Sequence, residues 1–188
     1  MHETMKTDAS IYLRPLTEED LDRCHRWHND SVLYATLVDG FRQVSRTAER
    51  EWLAKRLAHS TGEVNLAICL APGGEHIGNI YLRPIDLANR RAVLGVLIGE
   101  EAQRGKGYGR QAIELVLEHA FKDLGLERVH LEVLANNARA IRVYERAGFR
   151  TEGRLRQHVF KSGRFQDVLV MGLLRSEFAA AASKEEHA

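Results

Sequence analysis

Gln103-Arg104-Gly105-Lys106-Gly107-Tyr108-Gly109-Arg110 sets three glycines in five positions, between two strongly apolar segments. On its N-terminal side, residues 92–98 (AVLGVLI) are apolar throughout, as in a strand buried on both faces. On its C-terminal side, Ala112, Ile113, Val116, Leu117, Ala120, Phe121 and Leu124 follow the i, i+3, i+4, i+7 spacing of a helix with one apolar face, and Gly125 stops it. Glu118 and Lys122 make an i,i+4 pair on the opposite face. A glycine loop leading from a strand into a helix turns N–H groups toward the helix N-terminus, where the macrodipole favours negative charge. Arg104, Lys106 and Arg110 add cations. A diphosphate is the guest that suits this loop; a merely flexible connection is the alternative reading of the glycines alone. No GxxxxGK[ST] is present, because Gly107 follows Gly105-Lys106 where a hydroxyl residue is required. The relaxed dinucleotide fingerprint fits weakly as Gly107-x-Gly109-x-x-Ala112, midway along the chain.

Outward from this loop, periodicity supplies the other elements. Val129, Leu131 and Val133 alternate in a following strand, and 137–147 is an Asn-capped amphipathic helix closed by Gly148. Upstream, 11–16 is a short strand. Thr17 with Asp20 three positions on then opens a helix marked by Leu21, Cys24 and Trp27. A second helix is expected over 45–59, with Trp52, Leu53 and Leu57. Residues 64–70 alternate, 71–75 turn, and 77–82 return as a hairpin partner. A final hairpin, 157–160 with 165–173, flanks Lys161-Ser162-Gly163-Arg164. The expected fold class is α/β (α+β): one domain over 1–188, with its core at 10–175 and a low-complexity tail at 176–188. It is built on a mixed sheet of about seven strands with helices on both faces.

The chain has 188 residues, 44% hydrophobic and 28% charged, which excludes disorder and collagen-like repeats. Lys+Arg 27 against Asp+Glu 26 leaves a net charge of +1, without the basic excess of a nucleic-acid or membrane surface. The opening MHETMKTDAS is polar, and no run approaches the ~18 apolar residues of a membrane span. Cys24 and Cys69 make no disulfide framework. A soluble, cytoplasmic protein is expected, with no nucleic-acid or membrane partner; a homodimer is left open.

Asn136-Asn137-Ala138-Arg139-Ala140-Ile141-Arg142-Val143-Tyr144-Glu145-Arg146-Ala147-Gly148-Phe149 is by itself only a capped helix with a glycine stop. Arg104-x-x-Gly107-x-Gly109 after one strand, joined to Asn137-x-x-Ala140-x-x-x-Tyr144-Glu145-x-x-Gly148-Phe149 after the next, resembles the GNAT superfamily of N-acetyltransferases. The order of elements extends the resemblance over most of the chain. Leu13-Arg14-Pro15-Leu16-Thr17-Glu18-Glu19-Asp20 at the start is similar to one branch of that superfamily, as is Glu152-Gly153-Arg154-Leu155-Arg156 with Gly163-Arg164-Phe165-Gln166-Asp167 at the end. The branch holds spermidine and ribosomal-protein N-terminal acetyltransferases.

The resemblance implies direct transfer of an acetyl group from acetyl-CoA to a primary amine, on a sheet whose central parallel strands splay. The backbone of Arg104, Gly105, Lys106, Gly107, Tyr108 and Gly109 would hold the pyrophosphate. Leu97, Ile98 and Gly99 would pair with the pantetheine amides. Asn137, with Asn136 beside it, would contact the pantetheine arm at the splay. Tyr144 would lie near the sulfur, where a phenol of pKa ~10 can protonate the departing thiolate. Arg139, Arg142 and Arg146 form a solvated face, from which Arg142 or Arg139 would reach the 3′-phosphate.

Two departures from the family pattern stand out. Glu101 occupies a position where many relatives carry proline, and Ala92-Val93-Leu94 lies where an acid is frequent. The base is therefore sought elsewhere: in Glu132 on the polar side of its strand, in Glu100, in His158, or in a chain of waters. No metal is expected, since His25, His28 and His59 fit no paired site. Neither cysteine lies in the two motifs, so an acyl-cysteine route has no support. The alternative is a non-catalytic acyl-CoA-binding or regulatory module on the same fold. On the acceptor side, the segment 28–45 carries Asp30, Asp39 and Arg42, and the last hairpin adds Arg156, Lys161 and Arg164. Such mixed charge suits an acceptor with one amine, a peptide N-terminus or a small amino compound, better than a polyamine.

Overall fold

The apolar alternations become strands of one sheet, seen in a computed structural model that describes residues 5–6, 10–58 and 60–179. The strands are β1 Met5–Lys6, β2 Ile11–Pro15, β3 Val64–Leu70, β4 His76–Asp86, β5 Arg91–Ile98, β6 Arg128–Leu134, β7 Arg150–Lys161 and β8 Arg164–Leu174. Their spatial order is β1-β2-β3-β4-β5-β6-β8-β7. Seven of them correspond to the expected sheet; the two-residue β1 adds an edge that carries no sequence signal. Neighbours pair antiparallel except β5 and β6.

Helices cover both faces. α1 Leu21–His28, α2 Ser31–Tyr34 and α3 Arg46–Leu57 connect β2 to β3. Leu16, Leu53, Ala67 and Cys69, with Leu21 and Trp52 against them, close the core under α1 and α3. α4 Tyr108–Glu118 and α5 Ala138–Arg146 pack on the other, larger core, where Ile113, Val116, Leu117 and Phe121 meet Ile80, Leu82, Leu131 and Val133. The unbroken periodicity expected to Leu124 is met with a change of pitch: His119–Asp123 is a π-helical turn, which keeps Ala120 and Phe121 buried. The helix expected to reach His59 ends at Leu57, and His59 lies outside the described residues. The tail begins with a helical turn at 175–179, and 180–188 lies outside the description.

At the start of α1, the Thr17 backbone N–H donates to Asp20 Oδ2 at 2.8 Å, as a capping box requires. Asp20 is 3% exposed and also receives both terminal nitrogens of Arg14, at 2.8 and 2.7 Å. Burial alone would raise this carboxyl. The bonds from Arg14, His76 and the Thr17 backbone outweigh it and hold Asp20 well below the usual carboxylate range.

The feature that makes a site is where β5 leaves β6. Their pairing is confined to Arg91↔Arg128, Ala92↔Val129 and Val93↔His130. Beyond that point β5 stays with β4 as far as Gly78↔Ile98, and β6 stays with β8 as far as Leu134↔Val168. A V-shaped gap opens between them. This corrects the expectation that 92–98 is buried on both faces: Ala92 and Leu94 are buried, Val93 is half-buried though still paired, and Gly95, Val96, Leu97 and Ile98 are half-buried where one strand edge faces the gap.

Candidate active site

The loop after β5 is held by its own arginine. Arg104 Nε donates to the Ile98 carbonyl at 3.0 Å and Nη2 to the Gly99 carbonyl at 2.8 Å, so this side chain clamps the strand end and leaves the loop backbone to face outward. The Gly99 N–H is itself bonded to the Ile77 carbonyl, which leaves Leu97 and its neighbours upstream as the open stretch of β5. Gly107 caps α4 with φ +89°, a left-handed conformation that side-chained residues rarely adopt, and no atom lies within 4 Å of where its Cβ would stand. An oxyanion can therefore approach the N-terminus of an 11-residue helix without meeting a side chain. Tyr108 opens that helix half-buried against the core, and Gly109 follows it. Lys106 is tied to Gln103 at 2.9 Å. Arg139, and not Arg142, leans over the loop: its Nη2 is 3.0 Å from the Cβ position of Gly105. Arg142 is exposed on α5.

Across the gap stand the residues of the second motif. Asn137 caps α5 by accepting from the Ala140 N–H at 3.1 Å, and its amide nitrogen donates to the Thr36 carbonyl at 3.0 Å. Asn136 bonds Gln166 at 2.9 Å. Tyr144 packs into the large core, edge-on to Phe149 with ring centroids 6.0 Å apart, and its hydroxyl has no hydrogen-bond partner among the described residues. Burial, reinforced by the nearby Tyr81 phenol, pushes Tyr144 up to about 12. It therefore stays protonated throughout the physiological range and is a donor.

Tyr81 comes from the opposite face. Its ring lies over Gly95 of β5, so close that a Cβ there would stand 2.0 Å from the ring. Arg83 stacks on that ring at 3.9 Å. Tyr81 and Arg83 line a cavity of about 30 Å³ with Leu97, His28, Trp52 and Asn79. The segment beside it is pinned by side chains from elsewhere. Lys161, 8% exposed, donates to the carbonyls of Tyr34 (2.7 Å) and Asp39 (2.5 Å), while Asn137 holds Thr36 between them.

The family profile described as "Acetyltransferase (GNAT) domain" matches residues 10–150. The chain belongs to the GNAT acetyltransferases. It is 37% identical over 171 residues to a spermidine N(1)-acetyltransferase of Vibrio cholerae serotype O1, covering 91% of this chain and 96% of that one. A spermidine N(1)-acetyltransferase of Escherichia coli K12 is 29% identical over 178 residues, covering 94% and 92%. Among solved structures, spermidine N-acetyltransferase from Vibrio cholerae in complex with CoA and spermine superposes with a TM-score of 0.84 at 29% identity, covering 90% of this chain and 98% of that one.

Within this acetyltransferase the sequence-derived base candidates separate. Glu100 is engaged by Arg26, Arg23 and the Trp27 indole N–H, which makes it an anchor of α1. His158 lies in an open groove of the last hairpin with Arg154, Arg156 and Asp167, away from Tyr144. Glu132 is exposed on β6 between Leu131 and Val133, so it points to the face opposite Tyr144 and has no hydrogen-bonding partner among the described residues. The structure adds a pair not singled out in the sequence, His28 with Glu49. Its signal was a carboxylate on the buried side of α3, three and four positions before Trp52 and Leu53. Among the described residues no group of three His, Cys, Asp or Glu side chains is placed to hold a metal ion, and no helix is long and apolar enough to cross a membrane.

Proposed function

We propose that this N-acetyltransferase uses acetyl-CoA to acetylate an acceptor that carries a single primary amine, a peptide N-terminus or a small amino compound. Acetyl-CoA supplies the acetyl group activated as a thioester. The residues present fit it: the unobstructed Gly107 turn and the α4 N-terminus suit the pyrophosphate, with Arg139 over the loop for a further phosphate. The open edge of β5 around Leu94 to Leu97 offers backbone groups to an amide-bearing arm. Asn137 fixes the start of α5 and the acceptor segment at once. Tyr144, neutral at pH 7, gives its proton to the leaving sulfur. The proton of the acceptor amine must leave on the other face, where both Glu132 and His28 stand.

One observation carries the acceptor class. The cavity beside β5 is lined by Trp52, Tyr81, His28, Asn65, Asn79 and the guanidinium of Arg83, with no carboxylate among its lining residues. A polyamine presents several cations and needs carboxylates to receive them. Spermidine acetyltransferases are among the relatives, so the decisive experiment sets polyamines against the rest. Purified protein with acetyl-CoA is assayed for thiol release against polyamines, amino sugars, aminoglycosides and peptides with free N-termini. The highest kcat/KM is expected from a single-amine acceptor. Spermidine as the best acceptor would refute the charge reading, and silence across all panels would favour a binding module.

A further inference from the structure

We propose that His28, oriented by the buried carboxylate of Glu49, is the general base that takes the proton from the acceptor amine; this rests on the acetyl-transfer reading above and deepens it. Glu49 lies on α3 with 0% of its side chain exposed, and its two oxygens stand 2.9 and 2.7 Å from His28 Nδ1. A buried carboxylate is costly unless it is paired and hydrogen-bonded, and among the described residues this imidazole is the partner its side chain has. A carboxylate on one ring nitrogen keeps the proton there and turns the other nitrogen outward as an acceptor. His28 Nε2 has no hydrogen-bond partner among the described residues. The ring is also braced edge-on by Trp52 at 4.6 Å and by Tyr34 at 6.2 Å, so its direction is set by packing as well as by Glu49.

That direction is toward the reaction path. His28 lines the cavity with Leu97, on the open edge of β5, and with Tyr81, whose ring covers Gly95 of the same strand. Tyr144 belongs to the α4 and α5 side, and its phenol is near enough to Tyr81 to respond to it. Base and acid thus stand on opposite faces of the splayed sheet, with the gap between them. Glu132 has the right face but nothing to orient it. The titratable and charged groups around the imidazole are Glu49 from α3, Tyr81 and Arg83 from β4, Tyr34 from α2 and His25 one turn back on α1. Glu49 is the one in hydrogen-bond contact among the described residues.

In the step, Nε2 accepts one proton from the acceptor ammonium, and the freed lone pair forms the C–N bond at the thioester carbonyl carbon. The C–S bond breaks with its electron pair on sulfur. Tyr144 donates its hydroxyl proton to that sulfur and recovers one from the acylated nitrogen, and the imidazolium later returns its proton to solvent. Ammonium and thioester become amide, thiol and one released proton.

The test uses the full chain and the best acceptor from the screen. His28→Gln is expected to lower kcat by ~10²–10³-fold, the usual span of a general-base contribution, with CoA affinity unchanged within about twofold. The acidic limb of the rate profile should vanish, and added imidazole should restore part of the rate to His28→Ala. Glu49→Gln, a positioning change, should cost about tenfold in kcat and keep that limb. If His28→Gln does not fold, His28→Asn gives the same readouts. Turnover and pH profile unchanged in a folded His28 variant would overturn this proposal and leave acetyl transfer standing. A larger loss in Glu132→Gln than in His28→Gln would overturn it in favour of Glu132. A wild-type protein that releases thiol with no amine would overturn the acetyl-transfer reading, and the proposal with it.

Discussion

Along β5 and the loop into α4, the site is made of main chain: an unpaired strand edge from Leu94 to Leu97, carbonyls clamped by Arg104, and a left-handed glycine at the helix N-terminus. Across the sheet, around α1 to α3, it is made of side chains drawn from distant parts of the sequence, His28 with Glu49 and Lys161 with the Tyr34 and Asp39 carbonyls, and the start of α1 rests on the local pair Asp20 with Arg14. The first side, as proposed for the cofactor, offers main-chain groups that tolerate side-chain changes wherever the glycines of the turn are kept. The second side can change acceptor or proton chemistry one pair at a time. It is also the more fragile side, since each pair buries charge that depends on its partner.

The largest effect should follow from breaking such a pair. Asp20→Asn leaves Arg14 without its carboxylate and is expected to cost about 3–5 kcal/mol in urea unfolding, the range for a broken buried ion pair. The pH dependence has a definite sign. The native Asp20 carboxyl lies below its unfolded value of ~3.9, so its stabilisation is complete above that value and is lost as pH falls below it. Asp20→Asn should therefore weaken the acid dependence of wild-type unfolding; equal slopes in the two proteins would contradict this role.

On the main-chain side, Gly107→Val should leave the melting temperature within a few degrees. It should weaken CoA binding by ~10²–10³-fold, or about 3–4 kcal/mol, because the side chain is strained at φ +89° and occupies the space left for phosphate. Calorimetric affinity unchanged in the folded variant would remove the loop from the site. Tyr144→Phe should come next, with kcat down by ~10²-fold and acetyl-CoA affinity nearly intact. Wild-type turnover would return Tyr144 to the core. The smallest effect is expected at Lys161→Met, which removes two hydrogen bonds worth about 1 kcal/mol each from the acceptor segment. Acceptor KM should rise several-fold at nearly constant kcat, whereas a fall in kcat alone would show that the clamp does not act on acceptor binding.

The same division explains what was legible in the sequence. Arg104-x-x-Gly107-x-Gly109 pointed to a phosphate loop because the turn needs glycines at fixed spacing, and the capping box Thr17 to Asp20 was legible for a similar local reason. His28 and Glu49 are 21 positions apart, and no spacing rule joins them. Asn137 was expected on the pantetheine arm, yet both ends of its amide are engaged by Ala140 and Thr36. β7 was expected only from residue 157 but begins at Arg150: it is an edge strand exposed along most of its length, so no apolar alternation marks it. The opening of 92–98 toward the gap was likewise hidden, because composition does not say where two parallel strands part.

The gap itself is tested most directly by hydrogen exchange of wild-type protein with and without CoA. The account predicts that peptides spanning 94–98 and 105–109 gain protection when CoA is added, while the paired start of β5 at 91–93 and the hairpin at 157–167 change little. Saturating CoA that protects the hairpin or another surface, and leaves 94–98 and 105–109 as they were, would contradict it.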